Sequence, residues 1–393
     1  MLKHLTSWAL ALCLCAGVAA QTKPRIDKAA DLPRFSYPVK GSLETLVRDE
    51  AAFAPFAAQL RSDTESVLAR YDIADKAMQR QLLGTLLQLD LLEGKDTQAL
   101  ERIATIRALE EKPADKLLSG VQAQAIVEAR QAAGGAGSPG YADEVGKRIA
   151  QALQGMPYLV VANDLKATKM RAELVGEALV LGQVRDVLQP IVDKAGALSS
   201  DLAPGIVNAR AALLLRLPLK QTLIDTYGAY LQANQVEKPD IWAARSVTLA
   251  PGGAFKPVTV AVWDSGVDSS LFKAQVKRDA RGKPLLSAYD KYGKPSRSEL
   301  QPLPPAVRAK LPQMISRSKG FSDLQSNIDS VEAGEVKREL STLKPEAYKA
   351  AIEEIQLAGN YEHGTHVAGI TLDGNPHARL LIARIEFGHT LMP

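Results

Sequence analysis

Of the five histidines in the chain, four lie close to its end, at His363, His366, His377 and His389, and the fifth is His4. Histidine is the side chain best suited to taking up and returning a proton near neutral pH, so acid–base chemistry is expected at this end. Its natural companion is Asp264, which follows the short β-branched run Val258–Trp263 and precedes Ser265-Gly266. A carboxylate bonded to one ring nitrogen fixes the imidazole tautomer and leaves the other nitrogen free to deprotonate a hydroxyl. Other chemistries are poorly provided for. The only cysteines, Cys13 and Cys15, fall in the first twenty residues, which excludes a thiolate zinc site or a cysteine nucleophile from the rest of the chain. His363 and His366 stand three apart, but there is no His-Glu-x-x-His, and neither a metal nor a cofactor is expected. His366 reads as a structural helix residue, and His377 and His389 read as loop residues with no assignment.

The elements that must position these residues are legible in outline. Val258–Trp263, bounded by Pro251-Gly252-Gly253 and Asp264-Ser265-Gly266, has the form of a buried parallel strand ending in a turn. Asp264 then stands at the carboxyl end of that strand, where parallel α/β sheets place functional groups. A second strand is expected from Leu380 to Phe387. Between the two, residues 273–360 are polar and proline-punctuated, with a helical stretch from Glu332 to Leu357 interrupted at Pro345.

From Ser42 to Val236 the period is helical. Leu82, Leu83, Leu86, Leu87 and Leu91, then Leu100, Ile103, Ile106 and Leu109 after Gly94, predict an antiparallel helix pair. Ser62-Asp63-Thr64-Glu65 predicts a helix start and Lys112-Pro113 a helix stop. The Gly-rich run 134–140 predicts a loop between two helical blocks and contains no phosphate-binding fingerprint. Residues 21–41, with Pro24, Pro33 and Pro38, predict an extended lead-in. The expected fold is an all-α N-terminal domain of helix pairs, residues 42–236, followed by the opening part of an α/β domain with a parallel sheet, residues 254–393.

Two segments carry a specific resemblance. Val260-Ala261-Val262-Trp263-Asp264-Ser265-Gly266-Val267-Asp268 resembles the aspartate motif of the subtilisin-like serine proteases, and His363-Gly364-Thr365-His366-Val367-Ala368-Gly369 resembles their histidine motif, in the family's order. The resemblance implies that Asp264 orients the imidazole, that His363 is the general base, and that Gly364 leaves room on the substrate side of the ring. It also implies proteolysis by an Asp-His-Ser acyl-enzyme mechanism with a protein or peptide substrate. The third part of the pattern, a Gly-Thr-Ser-Met-Ala-x-Pro type segment, is not in the sequence, and no serine follows His363. The chain therefore reads as a truncated portion of such a peptidase, inactive as it stands, with 273–360 as an inserted surface subdomain and the region after 254 only marginally folded alone. The alternative is a non-catalytic helical interaction protein that binds a protein partner through 42–236 and retains a vestigial peptidase segment.

Composition narrows the setting. The 393 residues are 46% hydrophobic, enough for two or three cores, and the net charge of +4 is too small for a nucleic-acid-coating protein. Leu5–Ala20 is an almost unbroken apolar run that ends in Val18-Ala19-Ala20, which reads as a signal peptide cut after Ala20 and predicts a periplasmic or secreted protein. It is shorter than the roughly 20 residues that span a bilayer, so no stable membrane insertion is expected after cleavage.

Overall fold

The computed structural model of the chain describes residues 23–237 and 239–391; the expected signal segment, with Cys13 and Cys15, lies outside the described residues. The first half is helical. It contains α1 (Leu43–Arg48), α2 (Glu50–Arg70), α3 (Lys76–Glu93), α4 (Asp96–Leu109), α5 (Pro113–Leu118) and α6 (Val121–Ala133). After the expected Gly-rich loop come α7 (Tyr141–Leu153), α8 (Tyr158–Leu174), α9 (Glu177–Gln183), α10 (Gln189–Ala195), α11 (Ala203–Ala211) and α12 (Lys220–Ala233). Wider π turns at Val184–Leu188 and Ala212–Arg216 link α9 to α10 and prolong α11.

Local chemistry sets the helix ends. Ser42, Asp49 and Asp75 accept hydrogen bonds from the first-turn N–H groups of α1, α2 and α3. Gly94, at φ +71°, closes α3 in a left-handed conformation and starts the turn of the expected helix pair. Ser62–Glu65 does not start a helix: the segment lies inside α2, where the Thr64 hydroxyl donates to the Leu60 carbonyl and leaves the backbone ladder intact. Lys112-Pro113 separates two helices as expected, with Pro113 opening α5, where its missing N–H costs nothing.

The lead-in is tied down, contrary to its proline-rich composition. In it, β1 (Arg25–Ile26) and β2 (Ser36–Tyr37) pair respectively with β3 (Asp72–Ile73), in parallel, and β4 (Leu198–Ser199), antiparallel. Burial of Ile26 and Tyr37 explains the departure, because one apolar anchor per bridge draws an otherwise polar segment onto the helices. Two hydrophobic clusters fill this half, one around Ile103, Ile126, Val145 and Ile149, the other around Leu43, Phe56, Leu86 and Ile206.

The second half contains β5 (Val258–Asp264), β6 (Leu286–Tyr289), β7 (Pro295–Ser296), α13 (Pro305–Ser326), α14 (Val331–Ser341), α15 (Tyr348–Leu372) and β8 (Ala378–Ile385). The strands form one mixed sheet in the order β5-β8-β6-β7, with β8 parallel to both β5 and β6 and β7 antiparallel to β6. The chain is thus mostly helical with a small sheet that contains parallel pairs. The helix expected to end at Leu357 continues through the histidine motif to Leu372, because packing against the sheet outweighs the low helix propensity of Gly359, Gly364 and Gly369.

Residues 273–360 do not form a separate surface subdomain. They supply β6 to the sheet and, through α13 and α14, pack against α8, where Leu324, Val336 and Leu340 meet Met170 and Leu174. Lys337 reaches Glu173 at 2.9 Å, and the Tyr348 ring lies over Gly182 so closely that an added Cβ would stand 2.2 Å from it. Apolar stripes on these helices require cover, and the helical half provides it.

Candidate functional site

Asp264 is the last residue of β5. Immediately after it the chain turns sharply: Gly266 has φ +118°, and an added Cβ would come within 2.3 Å of the Glu299 carbonyl oxygen. Only glycine fits that turn. Val267 N–H donates to the same carbonyl at 3.0 Å. Underneath, Arg384 on β8 is 1% exposed, and its guanidinium donates to the Ser298 carbonyl at 2.9 Å and the Ser296 hydroxyl at 2.8 Å. A buried guanidinium with its donors satisfied thus fastens the loop against which the aspartate turn is folded.

The crossover helix α15 brings His363 to this turn. Gly364 allows the approach, since a Cβ there would stand 2.3 Å from the Gly266 carbonyl oxygen and 3.1 Å from Asp264 Cβ. Its role is therefore contact between helix and strand rather than room on the substrate side of the ring. Gly364 N–H donates to Ser265 Oγ at 2.9 Å, and Asp268 N–H donates to Thr365 Oγ1 at 3.1 Å. These two bonds clamp the helix to the turn that follows the aspartate.

The result is one direct pair. His363 Nδ1 lies 2.7 Å from Asp264 Oδ1, and Ser265 N–H donates to the same oxygen at 2.7 Å. An ionised carboxylate can only accept, so Nδ1 carries the proton of this bond and Nε2 is left without a partner among the described residues. Burial pushes the Asp264 pKa up, but the bonds from His363 and Ser265 and the charge of the ring outweigh it and hold the carboxyl below its ordinary value. The His363 side chain is 64% exposed and that of Asp264 16%, so the carboxylate is shielded while the ring faces solvent.

No protein-family model, no curated protein and no solved structure matches the chain.

The other three described histidines make no hydrogen bond with the pair. His366 is exposed one turn further along α15. His377 sits in the turn before β8, with Nε2 2.9 Å from the Ala250 carbonyl and its ring against Phe255. His389 follows β8 in coil. Among the described residues, no three His, Cys, Asp or Glu side chains are grouped to hold a metal ion. Nor does any hydroxyl among them bond to His363 Nε2.

The sequence motifs identified the pair but missed its supports. Ser265 reads in sequence only as part of the aspartate motif, with no role of its own, yet it is 5% exposed and bridges Asp264 to Gly364. Arg384 carries no sequence signal except that a charge interrupts the apolar run 380–387.

Proposed function

We propose that Asp264 and His363 are the acid–base half of a subtilisin-like serine endopeptidase site. The observation that carries this reading is the 2.7 Å bond between His363 Nδ1 and Asp264 Oδ1, made by the residues of the two motifs. In this reading His363 Nε2 takes the proton of a serine hydroxyl as it attacks a peptide carbonyl and returns it to the leaving amine, while Asp264 stabilises the imidazolium. The reading also requires a serine and oxyanion donors, and no described residue brings them to His363 Nε2. Without them the chain positions a base but has no nucleophile, and it is expected not to hydrolyse peptides. The apolar run Leu5–Ala20 supports a periplasmic or secreted setting for this reading, with protein or peptide substrates.

A second reading is favoured by the packing of the helical half, whose two main clusters draw only on residues from Tyr37 to Leu231. Such a unit can serve as an interaction domain with the peptidase segment as a remnant. One experiment separates the two. The product of the native locus is treated with a fluorophosphonate probe, which labels activated serines. A labelled species longer than this chain, with labelling abolished by His363→Ala, supports the peptidase; an unlabelled product of this length sinks it and leaves the interaction protein.

A further inference from the structure

A cavity of about 630 Å³ lies inside the helical half. Its walls come from α3, α6, α8, α12 and the π turn after α11, and they are mainly apolar, with Leu87, Val121, Ile126, Leu174 and Leu215 among them. Six polar side chains line it as well, Gln88, Gln122, Thr168, Arg171, Arg216 and Tyr227; two of them are cationic, and no aspartate or glutamate is among them.

Most of the other covered arginines of this half are paired with acids, Arg107 excepted, which donates to the Ser119 carbonyl. The partly buried Arg61, Arg80, Arg102, Arg130 and Arg210 each meet a carboxylate. Arg216 reaches only the Asn208 carbonyl, at 2.8 Å, and Arg171 only the Thr168 hydroxyl, at 2.8 Å. Tyr227 is 3% exposed as a residue, and its hydroxyl, which is not itself sealed from solvent, makes no hydrogen bond among the described residues. Burial lowers the Arg216 pKa and the nearby Arg171 charge lowers it further, so an anion between them would relieve both effects. Burial raises the Tyr227 pKa, with Arg171 opposing it, which keeps the phenol a donor. Two like charges and a phenol hydroxyl beside an apolar space, with no carboxylate in the lining, suit an acceptor that carries negative charge.

We propose that this cavity binds a free fatty acid, with its carboxylate held by Arg171, Arg216 and the Tyr227 hydroxyl and its chain laid along the leucine-rich wall. The volume falls within the roughly 300–1,000 Å³ of small-molecule sites. A peptide would bring backbone amides that these walls leave unpaired, whereas an alkyl chain needs only contact.

The test is calorimetric titration of the full chain with saturated fatty acids of increasing length and with the matching alcohols. Each added methylene is expected to tighten binding about fourfold until the cavity is full. Decanoate should bind about tenfold or more tightly than decanol, and Arg216→Gln or Arg171→Gln should remove that advantage while leaving decanol unchanged. Arg171 is exposed, so its variant serves if Arg216→Gln abolishes the cooperative melt. Equal affinity for acid and alcohol, an undiminished acid affinity in the folded variants, or a preference for decyl phosphate would each overturn the assignment.

Discussion

The helical half and the sheet half solve the same packing problem to different extents. In the first, Leu86, Leu89, Val145 and Ile149 are completely buried in clusters that span many helices. In the second, the sheet core is a small cluster around Val262, Leu380 and Ile382, and β5 forms an edge on which Val258 is 55% and Trp263 76% exposed. Leu271 and Ile370 in the same half are also exposed, at 66% and 79%. The difference teaches where stability and chemistry reside: the dyad stands on the half with less cover, and the half with more cover carries no dyad. Docking of α13 and α14 on α8 joins the two, so the sheet half borrows part of its burial from the helices.

The change expected to have the largest effect tests the deeper half. Asp90 is 0% exposed and bonds to Arg61 at 2.7 Å and to Arg102. Asp90→Asn removes the charge that both guanidiniums share and should lower stability by about 3–5 kcal/mol, read by urea denaturation. On the open edge, Val258→Ala should cost about 0.5 kcal/mol or less. A smaller loss for Asp90→Asn than for Val258→Ala would reverse the comparison.

Next in size is a matched pair of glycine substitutions. Gly84 lies inside α3 with nothing within 4 Å of an added Cβ, so Gly84→Ala should stabilise by about 0.5–1 kcal/mol through helix propensity alone. The same change at Gly364 drives a methyl into the Gly266 carbonyl and should destabilise by about 1–3 kcal/mol. It should also separate His363 from Asp264, visible by NMR as loss of the hydrogen-bonded Nδ1–H proton signal. Equal signs at the two sites would show that the helix–strand contact yields at little cost.

The two halves also differed in how well sequence foretold them. The leucine spacing across Gly94 announced α3 and α4 because an amphipathic period is written in consecutive residues. Asp264 and His363 were legible for a similar reason, each lying inside a compact motif. What sequence did not reveal depends on partners far apart in the chain. Ile26 and Tyr37 pair with strands at Ile73 and Leu198, Ser265 bridges to Gly364, and Arg384 anchors the loop at Ser296 and Ser298. The run of α15 through three glycines was equally hidden, since tertiary packing decides it. The donor cluster in the cavity is assembled from three helical segments and has no linear signature.

The site carboxylate titrates in the direction that supports folding at neutral pH. Its folded pKa lies below the ordinary 3.8, so its contribution is fully present above that value and is lost as pH falls through the folded pKa. Asp264→Asn should therefore lower the melting temperature at pH 7, and the deficit should shrink as pH is taken below about 3.8. A deficit that persists unchanged in acid would mean that the asparagine disturbs packing rather than the pair with His363.

The smallest effect is expected from the neighbouring carboxylate, Glu362, and its sign is opposite. Burial raises its pKa above the ordinary 4.5, against smaller lowering effects from His366 and Ser318. The folded state then binds more protons than the unfolded state just above pH 4.5, so stability declines as pH rises through the raised value. Glu362→Gln keeps the shape and an acceptor oxygen while removing the charge. It should raise the melting temperature slightly at pH 7 and have no effect at pH 4, where the glutamate is already mostly neutral. One residue away along α15, the exposed His363 is paired with a carboxylate whose charge is favoured, while Glu362 carries a charge that the packing opposes. A gain at pH 7 that persists at pH 4 would trace the effect to helix propensity and remove the burial argument for this face of α15.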